Sequence, residues 1–248
     1  MAHRSRLKVL LFLVEGATDK TSLGLAMSRL LSQSDIRFEI MDGDLTADFH
    51  IPTTDIVKEV GNRVRDFAGR QHFEAKDFYK VVQIIDTDAA FIPDTQVLDM
   101  TGNPELSDYG KGVYYDPASG IWARNPGSVI YRNHLKQAKV NRLRTCAKIY
   151  RSIPYELYYM SMNLEHVFYN VPNASRDEKV SWANQLEDIL VENPQQLVHF
   201  IKSPKIALGG NDYTGSWEFI ETGANSLKRC SNFNVFFEKA EQDGILVC

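Results

Sequence analysis

The sequence predicts an α/β fold: a parallel sheet of about four strands with helices on both faces, an insertion, and a helical C-terminal region. Three observations lead to this prediction. Strand and helix patterns alternate between residues 8 and 85, as they do in βαβ units. The first and third predicted strands are nearly continuous apolar runs, which is typical of strands buried on both faces of a parallel sheet, whereas the second alternates. Helical patterns alone follow from about residue 173.

The βαβ pattern begins with an apolar strand over residues 8–14 and a helix that starts near Thr18. A second strand over residues 36–41 precedes a helix that opens at Thr53, and residues 81–85 form the third strand. Apolar residues recur at helical spacing in both helices. Right-handed crossovers then place the three strands in one parallel sheet.

The alternation breaks in an insertion of about residues 91–130, which is rich in proline and glycine. Within it, two short strand patterns flank Asp116-Pro-Ala-Ser-Gly120, and we interpret them as a β-hairpin. A helix over residues 131–151 and a fourth strand over residues 155–160 come next. The remaining helices are predicted at residues 177–191, 194–201, 216–230 and 235–243.

Length and composition indicate a globular protein that forms one large domain, or one domain with an appendage. The chain of 248 residues is 44% hydrophobic and 24% charged, which is ordinary for soluble proteins. We divide it into a first domain over residues 1–170 and a helical region over residues 171–248. The formal net charge of −4 excludes a globally basic protein, so any nucleic-acid binding needs a local patch.

Cysteine usage and hydropathy predict a cytoplasmic protein without membrane contact. The three cysteines are odd in number and widely separated, at positions 146, 230 and 248. This pattern suits a reducing compartment and lacks the paired spacing of a zinc site. The strongest apolar run, residues 9–14, is much shorter than the roughly 20 residues that span a membrane.

Acidic residues follow two of the predicted strands. Glu15 comes directly after the first strand, and Asp86 and Asp88 come directly after the third. In an open parallel sheet, ligands bind where the carboxyl ends of the strands meet. Crowded carboxylates need a cation or hydrogen-bond donors, and their oxygens suit Mg²⁺ or Mn²⁺. Two interpretations stay open from these residues alone: a divalent metal site, or acids that only cap turns and the segments that follow.

Two segments resemble the signature of the Toprim family, in which a hydrophobic strand ends in Glu-Gly and a later strand ends in Asp-x-Asp. The resemblance covers roughly residues 8–165 and includes the order and spacing of both parts. The segments are Phe12-Leu-Val-Glu15-Gly16-Ala-Thr-Asp19-Lys20 and Ile84-Ile-Asp86-Thr-Asp88.

The resemblance implies a metal-dependent nuclease that cleaves phosphodiester bonds in nucleic acid. Asp86 and Asp88 would hold Mg²⁺ or Mn²⁺, and Glu15 would bind metal or act as general acid/base. Gly16 and Asp19 match the extended Glu-Gly-x-x-Asp form of OLD-like nucleases, in which the Asp supports the same pocket. Residues 1–170 are then expected to form a Toprim-like catalytic domain.

The resemblance also implies a biological setting. Topoisomerases need a separate domain with a nucleophilic tyrosine and primases need template-binding modules, for which this chain is expected to lack room. The OLD-like branch implies an effector of bacterial anti-phage defence, regulated by an ABC-type ATPase partner, with a homodimer as a further expectation. The alternative from another class is a non-catalytic Toprim scaffold. A third hypothesis is a haloacid-dehalogenase-like phosphatase with Asp86 as nucleophile, although that family places the motif at its first strand.

A further acidic residue follows the fourth strand in the segment Ser161-Met-Asn163-Leu-Glu165-His166. This segment resembles a Ser/Asn-rich segment of some defence-related Toprim domains, which implies that Glu165 is an additional metal ligand. His166 or Asn163 would then contact substrate. The alternative is that Glu165 lies in the first turn of a helix, where the helix dipole favours an acid.

The helix predicted over residues 131–151 carries seven basic residues and no acid. Such a local concentration in an acidic protein favours contacts with a phosphate backbone. The alternative is a solvated charged face. The predicted nucleic-acid contacts are Arg132, Lys136, Lys139, Arg142, Arg144 and Lys148, and the aromatic residues that could stack on unpaired bases are Tyr114, Trp122, Tyr131 and Tyr150.

Overall fold

The structure, a computed structural model, describes residues 8–31, 35–41, 44–106 and 109–246. Within these residues the strands are β1 (Val9–Val14), β2 (Asp35–Ile40), β3 (Phe78–Asp86), β4 (Val97–Asp99), β5 (Val113–Asp116), β6 (Gly120–Ala123), β7 (Lys148–Ile149) and β8 (Ile153–Met160). The α-helices are α1 (Ala17–Leu30), α2 (Ile56–Gln71), α3 (Pro126–Arg144), α4 (Leu164–Tyr169), α5 (Arg176–Glu192), α6 (Gln195–Ile201), α7 (Tyr213–Glu221) and α8 (Phe233–Gln242).

The central sheet has the strand order β2-β1-β3-β8-β7. Strands β2, β1, β3 and β8 run parallel, which confirms the predicted α/β fold and its four parallel strands. Strand β7 pairs antiparallel with β8 at one edge, so the complete sheet is mixed. That edge strand differs from the sequence prediction, which assigned residues 148 and 149 to a helix.

Helices cover both faces of the sheet, as predicted. All six residues of β1 are buried, and alternate side chains point to opposite faces. Leu10 and Phe12 belong to an apolar cluster with α1, α5, α6 and α8. Leu11 and Leu13 belong to a second cluster with α2, α3 and α7. A strand between two helical layers needs apolar residues at every position, which explains the continuous run in the sequence.

The C-terminal helices share a core with the sheet. Leu197 of α6 and Phe233 of α8 belong to the same buried cluster as Phe12 of β1. The ring of Phe233 lies edge-on to that of Phe12, with 6.5 Å between the centroids. The helical character predicted for this region is present from α5 to α8, and the domain division at residue 170 stays a prediction.

The insertion contains a small sheet with the strand order β4-β6-β5. Strands β5 and β6 pair antiparallel, which confirms the predicted hairpin. Gly120 has φ +139°, and a Cβ atom at this position would lie 2.0 Å from the carbonyl oxygen of Gln96. Glycine is therefore required where β6 begins beside the short 3-10 turn that precedes β4.

Two helix predictions were wrong in their boundaries. Helix α3 ends at Arg144 instead of residue 151, because Lys148 and Ile149 pair with β8. It also begins earlier, after Asn125, whose side chain accepts a hydrogen bond from the Ser128 amide at 3.1 Å. The helix predicted over residues 216–230 is instead α7, and only a short 3-10 turn at Asn225–Leu227 follows it.

Within the described residues, no helix combines the length and the apolar character that a membrane span needs.

Candidate functional site

The three acids of the Toprim-like signature lie at the carboxyl edge of the parallel sheet. Glu15 directly follows β1, Asp86 ends β3, and these two strands are parallel neighbours. Burial, followed by the charge of Glu15, raises the pKa of Asp86 well above its usual range. Asp88 adds to this increase. The carboxylates are therefore near enough to repel one another when ionised.

Glu15 has an unsatisfied oxygen at this edge. Its Oε1 atom is buried and has no hydrogen-bond partner among the described residues. Burial raises the pKa of Glu15 well above its usual range, while the charge of Lys136 opposes the increase. Buried polar atoms in proteins almost always have a partner, and those without one often mark the position of an ion or a functional group.

The backbone after β3 holds Asp88 in an uncommon conformation. Asp88 and Ala89 have φ angles of 49° and 52°. These angles lie in the left-handed region that residues other than glycine rarely adopt. The Asp88 amide donates to the Met162 carbonyl at 2.9 Å, and the Met162 amide donates to Thr87 Oγ1 at 2.9 Å. These bonds join the loops after β3 and β8, and such strained positions concentrate at functional sites.

A buried lysine balances part of the acidic charge. The Nζ atom of Lys136 on α3 lies 2.6 Å from Asp44 Oδ2 and 2.7 Å from Asp88 Oδ2. Burial on its own would lower the pKa of Lys136, but Asp44 and Asp88 raise it well above its usual range. Burial would likewise raise the pKa of Asp44, but Lys136 lowers it. Lys136 therefore remains charged and ties two acidic residues to α3.

A second lysine lies on the other side of the site. Lys179 of α5 donates to Glu165 Oε2 at 2.8 Å, and Glu165 is buried. Asp19 accepts a hydrogen bond from the Gly16 amide at 3.0 Å, which stabilises the turn that carries Glu15. Burial raises the pKa of Asp19 to about 6 although this bond opposes the increase. The role of Gly16 and Asp19 in supporting a metal pocket stays a prediction.

Glu165 lies in the first turn of α4, as the alternative interpretation predicted. Asn163 caps this helix by accepting a hydrogen bond from the His166 amide at 2.8 Å. His166 Nδ1 lies 3.3 Å from the Ser161 carbonyl oxygen, and burial lowers the pKa of His166 to about 4. Asn163 and His166 are both buried, which contradicts their predicted contact with substrate. A role of Glu165 as a metal ligand stays a prediction.

The carboxylates fit a divalent ion in chemistry but are not arranged around one in this conformation. Among the described residues, no three Asp, Glu, His or Cys side chains form a group that could hold a metal ion. Lys136 and Lys179 each bind carboxylates that would otherwise be available. The unpaired Oε1 of Glu15 and the hard oxygen donors beside it match the preference of Mg²⁺ and Mn²⁺.

The predicted nucleic-acid contacts need a correction at Lys136 and Lys139. Both side chains are fully buried, so neither can reach a phosphate backbone in this structure. Lys139 Nζ donates to the carbonyl oxygens of Leu45, at 3.2 Å, and Asp48. One face of α3 packs against the sheet, so the aliphatic parts of these lysines are buried while their ammonium groups reach polar atoms.

The four other predicted contacts differ in exposure. Arg132 is partly buried and donates to the Asp88 carbonyl at 3.3 Å. Arg144 forms an ion pair with Glu221 at 3.1 Å. Arg142 is exposed on α3, and Lys148 is exposed on β7. Of the six basic residues, Arg142 and Lys148 therefore have the accessible charge that a phosphate contact needs.

Sequence reasoning missed two residues of the site. Asp44 follows the second strand, so its position was a signal that could have placed it with the other acids. Lys179 comes from α5, the next helix after the one that carries Glu165, and no local pattern predicts the contact between the two side chains.

Comparison with protein-family models finds no match for this chain, and comparisons with curated proteins and with solved structures find none either. The function is therefore inferred from the residues and the geometry of the site.

Proposed function

We propose that this protein is a metal-dependent, Toprim-like nuclease that cleaves phosphodiester bonds in nucleic acid. The observation that carries the proposal is the position of Glu15, Asp86 and Asp88 at the ends of neighbouring parallel strands, with a buried Glu15 oxygen left unpaired. The order of these acids in the sequence adds the Toprim resemblance. A hydrolase that acts on a polyanion needs positive charge at this acidic edge, which a divalent cation provides.

Some residues of the site would bind the ion, and others hold these ligands in position. Glu15, Asp86 and Asp88 would bind Mg²⁺ or Mn²⁺, which when bound activates water and neutralises charge on the phosphate. Lys136 holds Asp88 through a 2.7 Å contact and limits the repulsion among the acids. Asp19 orients the turn after β1 through its bond to the Gly16 amide.

The OLD-like part of the resemblance extends the proposal to a cytoplasmic effector of anti-phage defence. In that setting an ABC-type ATPase would regulate the nuclease, and two copies of the chain would form a homodimer. This extension rests on the Glu-Gly-x-x-Asp pattern at residues 15–19.

A non-catalytic scaffold is the second candidate, and Lys136 is the observation that favours it. Its ammonium group lies between Asp44 and Asp88 and neutralises one of their two negative charges, so this part of the site is partly balanced without a metal. The two candidates differ in metal dependence: the scaffold needs no divalent ion, whereas the nuclease binds one and loses activity without it.

We predict that Mg²⁺ and Mn²⁺ stabilise the protein and support cleavage, whereas EDTA abolishes both effects. A metal that binds only the folded state adds about 2.7 kcal/mol of stability at 100 times its Kd. Thermal unfolding and a panel of single-stranded and duplex DNA and RNA substrates would measure the two effects. The wild type is tested with and without the candidate ATPase. Cleavage that persists in EDTA, or no metal-dependent stabilisation, would reject the metal-dependent nuclease.

We also predict that the exposed cations contribute to nucleic-acid affinity. Replacing Arg142 and Lys148 by Gln should weaken binding and reduce the slope of log affinity against log salt by about 1 for each phosphate that is no longer neutralised. The affinity is measured in the Asp86→Asn background to prevent cleavage. Lys205→Gln, an exposed site after α6 on the opposite helical layer, is the matched control. An unchanged slope would show that Arg142 and Lys148 belong to a solvated charged surface and do not contact phosphates.

A further inference from the structure

A cavity of about 680 Å³ lies between the 44–51 loop and the first turns of α3. Two aromatic side chains line it, Phe49 from the loop and Tyr131 from the helix. Phe49 is 68% exposed and Tyr131 is 63% exposed. Large apolar rings that remain this accessible in one concave surface are typical of a binding site.

The cavity adjoins the acidic site through both of its walls. On the loop side, the Ala47 amide donates to Asp44 Oδ1 at 3.1 Å, and Ala47 lines the cavity. On the helix side, Arg132 lines the cavity and donates to the Asp88 carbonyl at 3.3 Å. A ligand in the cavity therefore contacts residues that are themselves bonded to Asp44 and Asp88.

The buried lysines of α3 hold the loop wall of the cavity in place. Lys139 donates to the carbonyl oxygens of Leu45 and Asp48, and Lys136 pairs with Asp44. The His50 amide also donates to Asp48 Oδ1 at 2.8 Å. The residues that precede Phe49 are therefore bound to α3, and a turn encloses Phe49 itself. The aromatic surface is thus already formed before a ligand binds.

The charge and size of the cavity restrict its ligand. Arg132 is the charged residue that lines it, and none of its lining residues is acidic. The volume of about 680 Å³ suits a ligand of nucleotide size. Aromatic rings bind nucleobases by stacking, because every base has a π-face. In a duplex the bases are paired and stacked inside, so only an unpaired base can enter.

We infer that this cavity binds an unpaired nucleobase beside the acidic site, which makes single-stranded nucleic acid the substrate class of the protein. The base stacks on Phe49 and Tyr131, and Arg132 lies between the base and Asp88. The inference deepens the proposed nuclease function and rests on it, because a base in this position brings the adjoining phosphate towards the carboxylates.

The test measures binding of a single-stranded oligonucleotide that carries a fluorescent base analogue, 2-aminopurine, in the Asp86→Asn background with Mg²⁺. Phe49→Ala and Tyr131→Ala should each weaken binding by about 5- to 150-fold, since a stacked base is worth about 1–3 kcal/mol. Both should also reduce the quenching of the analogue. Tyr131→Phe keeps the ring and should bind as the parent does.

Two controls separate this inference from the function on which it rests. Ile189→Ala removes an exposed apolar side chain from α5, on the opposite helical layer, and should leave binding unchanged. A duplex of the same sequence should bind less tightly than the single strand. Circular dichroism and thermal unfolding confirm that each variant is folded.

The outcomes are distinguishable. If the wild type cleaves nucleic acid but the folded Phe49 and Tyr131 variants bind and quench normally, the cavity inference is overturned and the nuclease proposal stands. The same holds if duplex and single strand bind equally well. If the wild type neither binds nor cleaves any nucleic acid with Mg²⁺ or Mn²⁺, both fail together.

Discussion

Replacing Asp86 by Asn is expected to reduce nuclease activity by more than about 100-fold, because even residues that only orient metal ligands contribute 10- to 100-fold. Glu15→Gln should have a similar effect. Each change keeps the shape of the side chain and removes the charge that a divalent ion needs. The measurement is the initial cleavage rate with Mg²⁺, with the ATPase partner supplied where the wild type requires it.

Both variants should also fold at least as stably as the metal-free wild type. Folding raises the pKa of Glu15 and of Asp86, mainly through burial. A carboxylic acid whose pKa is raised by folding stabilises the folded state less as the pH rises above the ordinary pKa of that acid. At neutral pH a neutral amide in its place is therefore favoured. Asp188→Asn, an exposed position on α5, is the control with unchanged activity. Folded Glu15 and Asp86 variants that cleave as fast as the wild type would show that the acids are structural.

Lys136→Met is expected to destabilise the folded protein by roughly 3–5 kcal/mol, because its fully buried ammonium group is the ion-pair partner of two partly buried carboxylates. The change removes the ammonium group that lies between Asp44 and Asp88. Denaturant unfolding measures this loss. Adding Asp44→Asn should recover part of it, because one of the two uncompensated carboxylates is then neutral.

A second expected result for Lys136→Met concerns its stabilisation by divalent ions. In Lys136→Met the freed carboxylates should attract Mg²⁺, so the ion should stabilise this variant more than the wild type. Lys139→Met is the matched control, since Lys139 is equally buried but contacts the backbone carbonyls of Leu45 and Asp48. It should lose about 1–3 kcal/mol without any compensation by Mg²⁺. Equal losses in the two variants, with no difference in their response to Mg²⁺, would contradict the role assigned to Lys136.

The secondary-structure pattern predicted the parallel strands because a strand that is buried on both faces has apolar residues at consecutive positions. Every residue of β1 is apolar, and that run is visible without knowledge of its neighbours. The end of α3 was not predictable in the same way. Lys148 and Ile149 leave the helix because β8 offers them hydrogen-bond partners, and a pairing between strands is not a property of either segment alone.

The acidic edge was also readable in part. Glu15 and Asp86 follow strands directly, and the parallel sheet brings strand ends together. Glu165 was correctly considered as a first-turn residue of α4, but its ion pair with Lys179 was not predictable. The aromatic cavity is lined by Tyr131 together with Phe49, which comes from a loop far from Tyr131 in sequence, although Tyr131 itself was among the candidate stacking residues.

The sequence by itself determined the α/β class, the alternation of strands and helices from β1 to β3, and the acids at two strand ends. Only the tertiary structure decided what the basic residues of α3 do. A helix that is rich in lysine and arginine and has no acids is compatible with two roles. It can form a nucleic-acid surface, or it can supply buried positive charge opposite carboxylates. Asp44, which pairs with Lys136, lies 92 positions before it. Because the partner of a charge can come from any distance along the chain, packing alone determines whether that charge faces solvent or a carboxylate.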